Sequence, residues 1–426
     1  PLLYQPVYAK AGLKDGVYDV VATEDVISGG VLRHHKGDTV ATLTTGPDGW
    51  ATSDPLYLST YQIIERKAPY GMTLNPEPIT ATLSYAGQHV QLTTAEAHFT
   101  NERQRVEIDL TKILEQDELF QLGMNNEIQH VAWGLYAAEQ LTAVDGSIIP
   151  ADGLLEIASC DENGKAVFTT DVPVGAKLYV KEYATDSHYL ISGEKYPVEF
   201  LYQGQDTATV HISVNDGETI ENKLIRGDIY GLKVSEDGGA VSEAVFGLFR
   251  PDETEYNEVT ALLTAESNES GEFTFLGIPY GNWIIKELSC PPQFVLSGEL
   301  FRVTVSEQAQ RIEIEAVNKW ITGSVQTTKV DKDYPDNKLS EALFGIYLDV
   351  NGNKVFDKGI DTFVEHMEEI EPGIYRLDGL KYNGYFLYEE RSPEGFIKDD
   401  RYYYFEIRED GAVVVIENEA GIGFIN

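Results

Sequence analysis

A glutamate set inside an apolar strand, four residues ahead of a turn, occurs four times in this chain. Residues 385–396 read YFLYEERSPEGF, with Glu389 four before Pro393. Residues 61–71 (YQIIERKAPYG) place Glu65 before Pro69, and residues 283–294 (WIIKELSCPPQF) place Glu287 before Pro291. Residues 178–189 (LYVKEYATDSHY) keep Glu182 but carry Asp186 at the proline position. Intervals of about 100 residues point to four copies of one module. A carboxylate in an apolar strand is costly to bury alone, so each copy demands a partner group.

The 426 residues accommodate four modules of ordinary domain size: 1–103, 104–226, 227–320 and 321–426. Apolar runs such as ELFRVTVS, RYYYFEI and GAVVVIENE are short, alternating and rich in Val, Ile, Thr and Tyr, with Gly, Asn, Asp and Pro between them. No run of helical periodicity competes with them, so the fold class is all-β, as tandem β-sandwich domains in a row. The 25 Tyr and 17 Phe suffice to fill small cores, which excludes a disordered acidic chain. Junctions are short and polar without Gly/Ser tracts, which predicts a semi-rigid row. A net charge of −38 argues against nucleic acid and against contact with anionic membranes. Cys160 and Cys290 fall in different modules and read as small apolar residues rather than a disulfide. No leader, membrane span or sorting tail is visible, and the chain reads as an excised segment of a longer protein.

Modules two to four share an order: a lysine in the first strand, the glutamate strand, and an asparagine in the last strand. The triplets are Lys112, Glu182 and Asn222; Lys233, Glu287 and Asn318; and Lys329, Glu389 and Asn426. In an antiparallel sandwich, the first and last strands can be neighbours, which lets lysine and asparagine face each other inside the core. Burial favours the neutral amine and the neutral acid. The amine can then attack the asparagine amide while the glutamate shuttles a proton to departing ammonia. The chain is its own substrate, once, and no cofactor is required. The plain alternative is an unreacted buried Lys–Glu pair.

The motifs KVDKD, EALFGIY and FLYEERSPEGF in module four, with LKVSED, EAVFGLF and IIKELSCPP in module three, resemble tandem Cna-B/SpaA-type, prealbumin-like domains of Gram-positive adhesins and pilins. The resemblance implies Ig-like β-sandwiches, extracellular cell-wall display, and self-formed Lys–Asn isopeptide bonds assisted by an acidic residue. It implies as partners a host or neighbouring-cell surface ligand, or other surface-protein subunits. Module one departs from the pattern. It keeps Glu65 and Asn101, but Lys10 and Lys14 lie too close to GVYDVVA, so either its lysine strand lies upstream of Pro1 or the module is unbonded. In module four, Asn418 competes with Asn426 as acceptor, and Asn426 is preferred because GFIN reads as the final strand.

Residues 349–361 (DVNGNKVFDKGID) space Asp349, Asn351, Asn353, Asp357 and Asp361 as a calcium-wrapping loop would. Lys354 stands where an EF-hand has glycine, and a hairpin loop needing no metal is the alternative. No partnered nucleophile, phosphate loop or metal-spaced Cys/His cluster points to a turnover enzyme. The competing function is a carbohydrate- or host-matrix-binding surface module, with Trp50, Tyr57 and Tyr280 as candidate stacking residues.

Overall fold

The computed structural model describes residues 1–142, 145–417 and 423–425. The chain divides into two compact units, Pro1–Leu224 and Ile225–Asn426. Strands dominate, and the helical content among the described residues is two short 3-10 turns, Glu127–His130 and Val214–Gly217.

Region 227–320 gives the clearest sandwich. One sheet runs Glu272–Pro279, Arg226–Ser235, Gln310–Trp320, Phe294–Val295; the other runs Leu263–Glu266, Val245–Phe249, Gly281–Ser289, Leu300–Val305. Alternation decides which face is buried. In Arg226–Ser235 every second residue is buried, which places Ile229 and Lys233 in the core. Phe246 and Phe273 stack across that core at 3.9 Å, and Gly231 leaves room for the Phe273 ring, which a Cβ there would meet at 2.1 Å. Each fully buried aromatic or aliphatic side chain contributes about 1.5–3 kcal/mol.

The same plan recurs in 104–226 and 321–426. The glutamate strands Lys177–Ala184 and Asn383–Arg391 lie centrally in one sheet, and the lysine strands Arg105–Leu114 and Thr322–Val330 lie centrally in the other. One detail departs from a purely antiparallel sandwich: first and last strands pair in parallel. Arg226–Ser235 runs alongside Gln310–Trp320, with Lys233 opposite Ala316. Likewise, Lys112 faces Ile220, and Lys329 faces Phe424. Parallel neighbours need a crossover, and here the whole opposite sheet supplies it.

Region 1–103 carries only one such sheet, Thr39–Thr44, Val17–Ala22, Thr60–Lys67, Ile79–Thr82, with a hairpin of Val26–Ser28 and Val31–His34. The lysine-bearing sheet has no counterpart among its described residues, and residues 83–101 form no strand. Within this first unit the joint to region 104–226 is hydrogen-bonded. Gln205 accepts from Ala68 N at 2.9 Å through its side chain and from Leu74 N at 3.0 Å through its carbonyl, while Tyr202 Oη donates to the Met72 carbonyl.

Candidate cross-linking sites

Each glutamate strand presents its carboxylate to the core opposite an aromatic residue of an earlier strand in the same sheet. Glu182 pairs with Trp133, Glu287 with Phe246, Glu389 with Phe344 and Glu65 with Tyr18. Behind the glutamate the chain makes the same turn every time. The carbonyls of Pro69, Asp186, Pro291 and Pro393 accept from the N–H three residues on. Asp186 replaces proline's fixed φ with its own carboxylate, which accepts from His188 N at 3.1 Å and contacts His130 Nδ1 at 2.7 Å. The returning chain then clamps the acid. Ten residues after each glutamate, an N–H donates to its Oε2: Asn75 at 2.6 Å, Ser192 at 2.6 Å, Ser297 at 2.9 Å and Asp399 at 2.9 Å.

Lys112, Lys233 and Lys329 are all fully buried. Lys112 Nζ donates to Asn222 Oδ1 at 2.6 Å, while Asn222 Nδ2 donates to Glu182 Oε1 at 2.6 Å and Thr185 Oγ1 at 3.0 Å. In the next triplet Asn318 Nδ2 donates to Glu287 Oε1 at 2.9 Å. Lys233 Nζ lies 3.8 Å from that oxygen and donates to the Val234 and Ala316 carbonyls. Lys329 Nζ is 2.8 Å from Glu389 Oε1. The structure therefore brings Lys112, Glu182 and Asn222 together, and likewise Lys233, Glu287 and Asn318. It brings Lys329 to Glu389; Asn426 and its competitor Asn418 lie outside the described residues.

Burial sets the protonation. It pushes all three lysine amines below the ordinary 10.5, against the opposing pull of the neighbouring glutamates. Burial also raises Glu287 above the ordinary 4.5, despite the Ser297 N–H and Lys233 nearby. Lowered amine and raised acid are what nucleophile and proton shuttle need. In both complete triplets the acid touches the nitrogen that an attacking amine would expel.

Sequence reasoning missed one set of residues here. Lys112 N donates to Gly164 O at 2.8 Å, Lys233 N to Gly271 O at 2.7 Å, and Lys329 N to Gly373 O at 2.8 Å. These glycines have φ of 77°, 80° and 74°. A Cβ on Gly271 would stand 2.3 Å from the Lys233 carbonyl oxygen. The signal was present as ENGKAVF, ESGEFTF and EPGIYRL, each a glycine ahead of the strand beside the lysine.

In region 1–103, Asn101 Nδ2 donates to both Glu65 oxygens, at 2.9 and 2.8 Å, and the Tyr18 hydroxyl donates to Glu65 Oε1 at 3.0 Å. Tyr18 holds the strand position that Trp133, Phe246 and Phe344 hold elsewhere, and its hydroxyl reaches the acid. Lys10 and Lys14 are exposed.

The 349–361 loop spends its buried carboxylates on main-chain donors. Asp349 accepts from Gly352 N and Lys354 N, and Asp361 from Val350 N and Asp357 N. Asn351 and Asn353 both donate to Asp357 Oδ2, at 2.8 and 2.7 Å. No metal-ready group of three or more His, Cys, Asp or Glu occurs among the described residues. No helix among them is long and apolar enough to cross a membrane. Cys160 is buried as expected, but Cys290 is only half-buried, because it sits at the turn after Glu287 rather than within a strand.

A family model for the SpaA prealbumin-like fold domain matches residues 11–98, 227–320 and 323–420. The chain belongs to this SpaA prealbumin-like family. Among solved structures the chain is similar to several of low identity, and the first of these bears on the fold. The Bacillus anthracis TIE protein is 17% identical, with 97% of this chain and 73% of that one covered at a TM-score of 0.54. BcpA, the major pilin subunit of Bacillus cereus, is 15% identical over 75% of this chain and 98% of its own, at a TM-score of 0.32. The minor pilin of Streptococcus agalactiae is 17% identical over 51% and 96%, at 0.22. No curated protein matches the chain.

Proposed function

We propose that this SpaA-family chain is a stalk segment of a Gram-positive surface adhesin or pilin, displayed outside the cell and stiffened by self-formed Lys–Asn isopeptide bonds. Other surface-protein subunits are the partners this reading implies. The observation that carries it is the recurrence of a buried lysine beside a glutamate whose carboxyl holds the asparagine Nδ2. Lysine Nζ attacks asparagine Cγ, the Cγ–Nδ2 bond breaks, and ammonia leaves with the proton relayed by the glutamate. An amide remains, formed once per site.

The bonds join Lys112 to Asn222, Lys233 to Asn318 and Lys329 to Asn426. Register supports the last acceptor. Ile220 and Ala316 face their lysines and the asparagine follows two residues on; Phe424 faces Lys329, and two residues on in the sequence is Asn426. The intact mass of the denatured chain tests the reading: a deficit of one ammonia per bond is expected. An unshifted mass would leave plain β-sandwiches.

The electrostatics give a signed pH dependence for an Asn318→Ala chain, in which Lys233 and Glu287 stay unreacted. Between the lowered folded-state value of Lys233 and 10.5, the unfolded chain holds more protons, so stability rises with pH. Between 4.5 and the raised value of Glu287, the folded chain holds more protons, so stability falls as pH rises. The variant is therefore least stable between the two windows. Urea midpoints from about pH 4 to about pH 10 check this, and a featureless profile counts against it.

A further inference from the structure

Two stretches of the chain exceed the shared sandwich plan, and each leaves a strand edge and apolar side chains uncovered. In region 1–103 the hairpin of Val26–Ser28 and Val31–His34 forms a separate two-stranded sheet. Val26 roots it in the core, while Ile27, Val31 and Leu32 are exposed around the Gly29–Gly30 tip. Ile27 and Leu32 are cross-strand partners, so they share one face. Arg33, His35 and Lys36 lie just beyond and are exposed as well. The carboxylates at the root turn to the hairpin's own main chain: Asp38 accepts from His35 N at 2.7 Å and Asp25 from Lys36 N at 2.9 Å. The outward surface is therefore apolar and cationic, on a chain whose net charge is −38.

Region 321–426 carries the converse. Its two sheets end on Thr362–His366 and Glu368–Glu371, and every residue of both strands is exposed. Region 227–320 stops the second of these sheets at Glu272–Pro279; here the sheet continues past the equivalent Ile374–Lys381 to take Glu368–Glu371 as an added strand. Phe363, Val364 and Ile370 are uncovered among Glu365, Glu368 and Glu371. No strand lies outside either edge among the described residues, and an open edge with apolar side chains is a template for another strand.

We propose that the 26–36 hairpin of one copy docks on the 362–371 edge of a second copy, strand against strand, so that chains associate head to tail. This rests on the reading of other surface-protein subunits as partners and names one of them, the chain itself; the cross-links are not needed for it. Main-chain hydrogen bonds between Val31–His34 and Thr362–His366 extend the sheet, the aliphatic tip covers Phe363 and Val364, and the cations meet the glutamates. A lipid surface would take the hairpin but leave the acidic edge without a role, whereas a second copy occupies both. The two surfaces differ, so the contact is heterologous and each copy keeps one surface free for the next. Net charge sets the conditions. In about 0.15 M salt, charges farther apart than about 8 Å are screened and the contact charges act alone; in about 0.01 M salt the reach is about 30 Å and the acidic bodies repel. One strand pair makes a small interface, so the contact is weak in solution and gains from the display of many copies on one surface.

Sedimentation velocity of the full chain from about 1 to about 200 µM is the test. The sedimentation coefficient is expected to rise with concentration in about 0.15 M salt without levelling at a dimer, and to stay flat in about 0.01 M and about 1 M salt. Arg33→Glu with Lys36→Glu in one chain, and Glu365→Lys with Glu368→Lys in another, should each give a monomer throughout. Mixed together, these two chains should associate again, because reversed hairpin meets reversed edge and native hairpin meets native edge. All four side chains are exposed, so the variants keep the parent's melting curve. A monomeric parent, association that the substitutions leave untouched, or a mixture that stays monomeric would overturn the proposal. So would a monomeric parent that binds phosphatidylglycerol vesicles through Arg33 and Lys36, which would assign the hairpin to lipid. Intact masses of the same samples report the ammonia deficit. A normal deficit without association sinks this inference only and leaves the cross-linked stalk standing.

Discussion

Asn318→Ala protein is expected to weigh one ammonia more than the parent, after allowing for the substitution, and to melt its 227–320 region far earlier. A bond from Lys233 to Asn318 closes a loop of about 85 residues, which on the chain-entropy view of cross-links stabilises by roughly 4.5 kcal/mol. The variant also strands a buried amine beside Glu287 without its reaction partner, which adds to the loss. For a domain of this size, about 4.5 kcal/mol corresponds to roughly 20–35 °C in melting temperature. Amide exchange along Arg226–Ser235 localises the effect, because that strand pairs directly with the acceptor strand. A variant with the parent's ammonia deficit and the parent's melting point would show that no bond forms there.

The second large effect comes from a residue that takes no part in the chemistry. Gly271→Ala places a Cβ 2.3 Å from the Lys233 carbonyl oxygen at a backbone φ of +80°. The left-handed conformation alone costs roughly 1–2 kcal/mol for a non-glycine residue. Relieving the clash moves the lysine strand at further cost, about 1–3 kcal/mol by analogy with overpacked cores. The shift also matters to the reaction, since displacements on the order of 1 Å slow positioned reactions by about a hundredfold. Freshly purified Gly271→Ala protein should therefore contain a mixture of reacted and unreacted 227–320 regions that matures over hours. Peptide mapping across time resolves the two. Complete reaction at the first time point, with parental stability, would remove Gly271 from any positioning role.

Much of this was legible because burying a charge leaves few options. An acid within an alternating apolar strand, as at Glu287, announces a polar partner, and Lys233 and Asn318 were the groups in the right order along the chain. The parallel pairing of first and last strands was not legible, since alternation records which face is buried and not which edge is shared. Gly271 escaped because a lone glycine in a hairpin looks like any turn until its carbonyl is seen on the lysine N–H. Asp186 looked like a broken motif, yet its side chain rebuilds the turn that proline makes elsewhere. In region 1–103 the sequence showed that Glu65 and Asn101 are both kept, and the structure brings them into contact, but nothing in GVYDVVA marked the Tyr18 hydroxyl as their third partner.

The place of the lysine within its strand has a consequence for a chain under tension. Lys233 is the eighth of ten residues in Arg226–Ser235, and Asn318 lies two residues before the end of Gln310–Trp320. With the bond formed, a pull on the backbone travels along the first strand, crosses through the amide, and leaves almost at once into the next region. The residues between the two anchors hang outside that path. They can melt or be strained sideways without lengthening the chain, whereas the same stretch unlinked would pay out roughly 300 Å of slack.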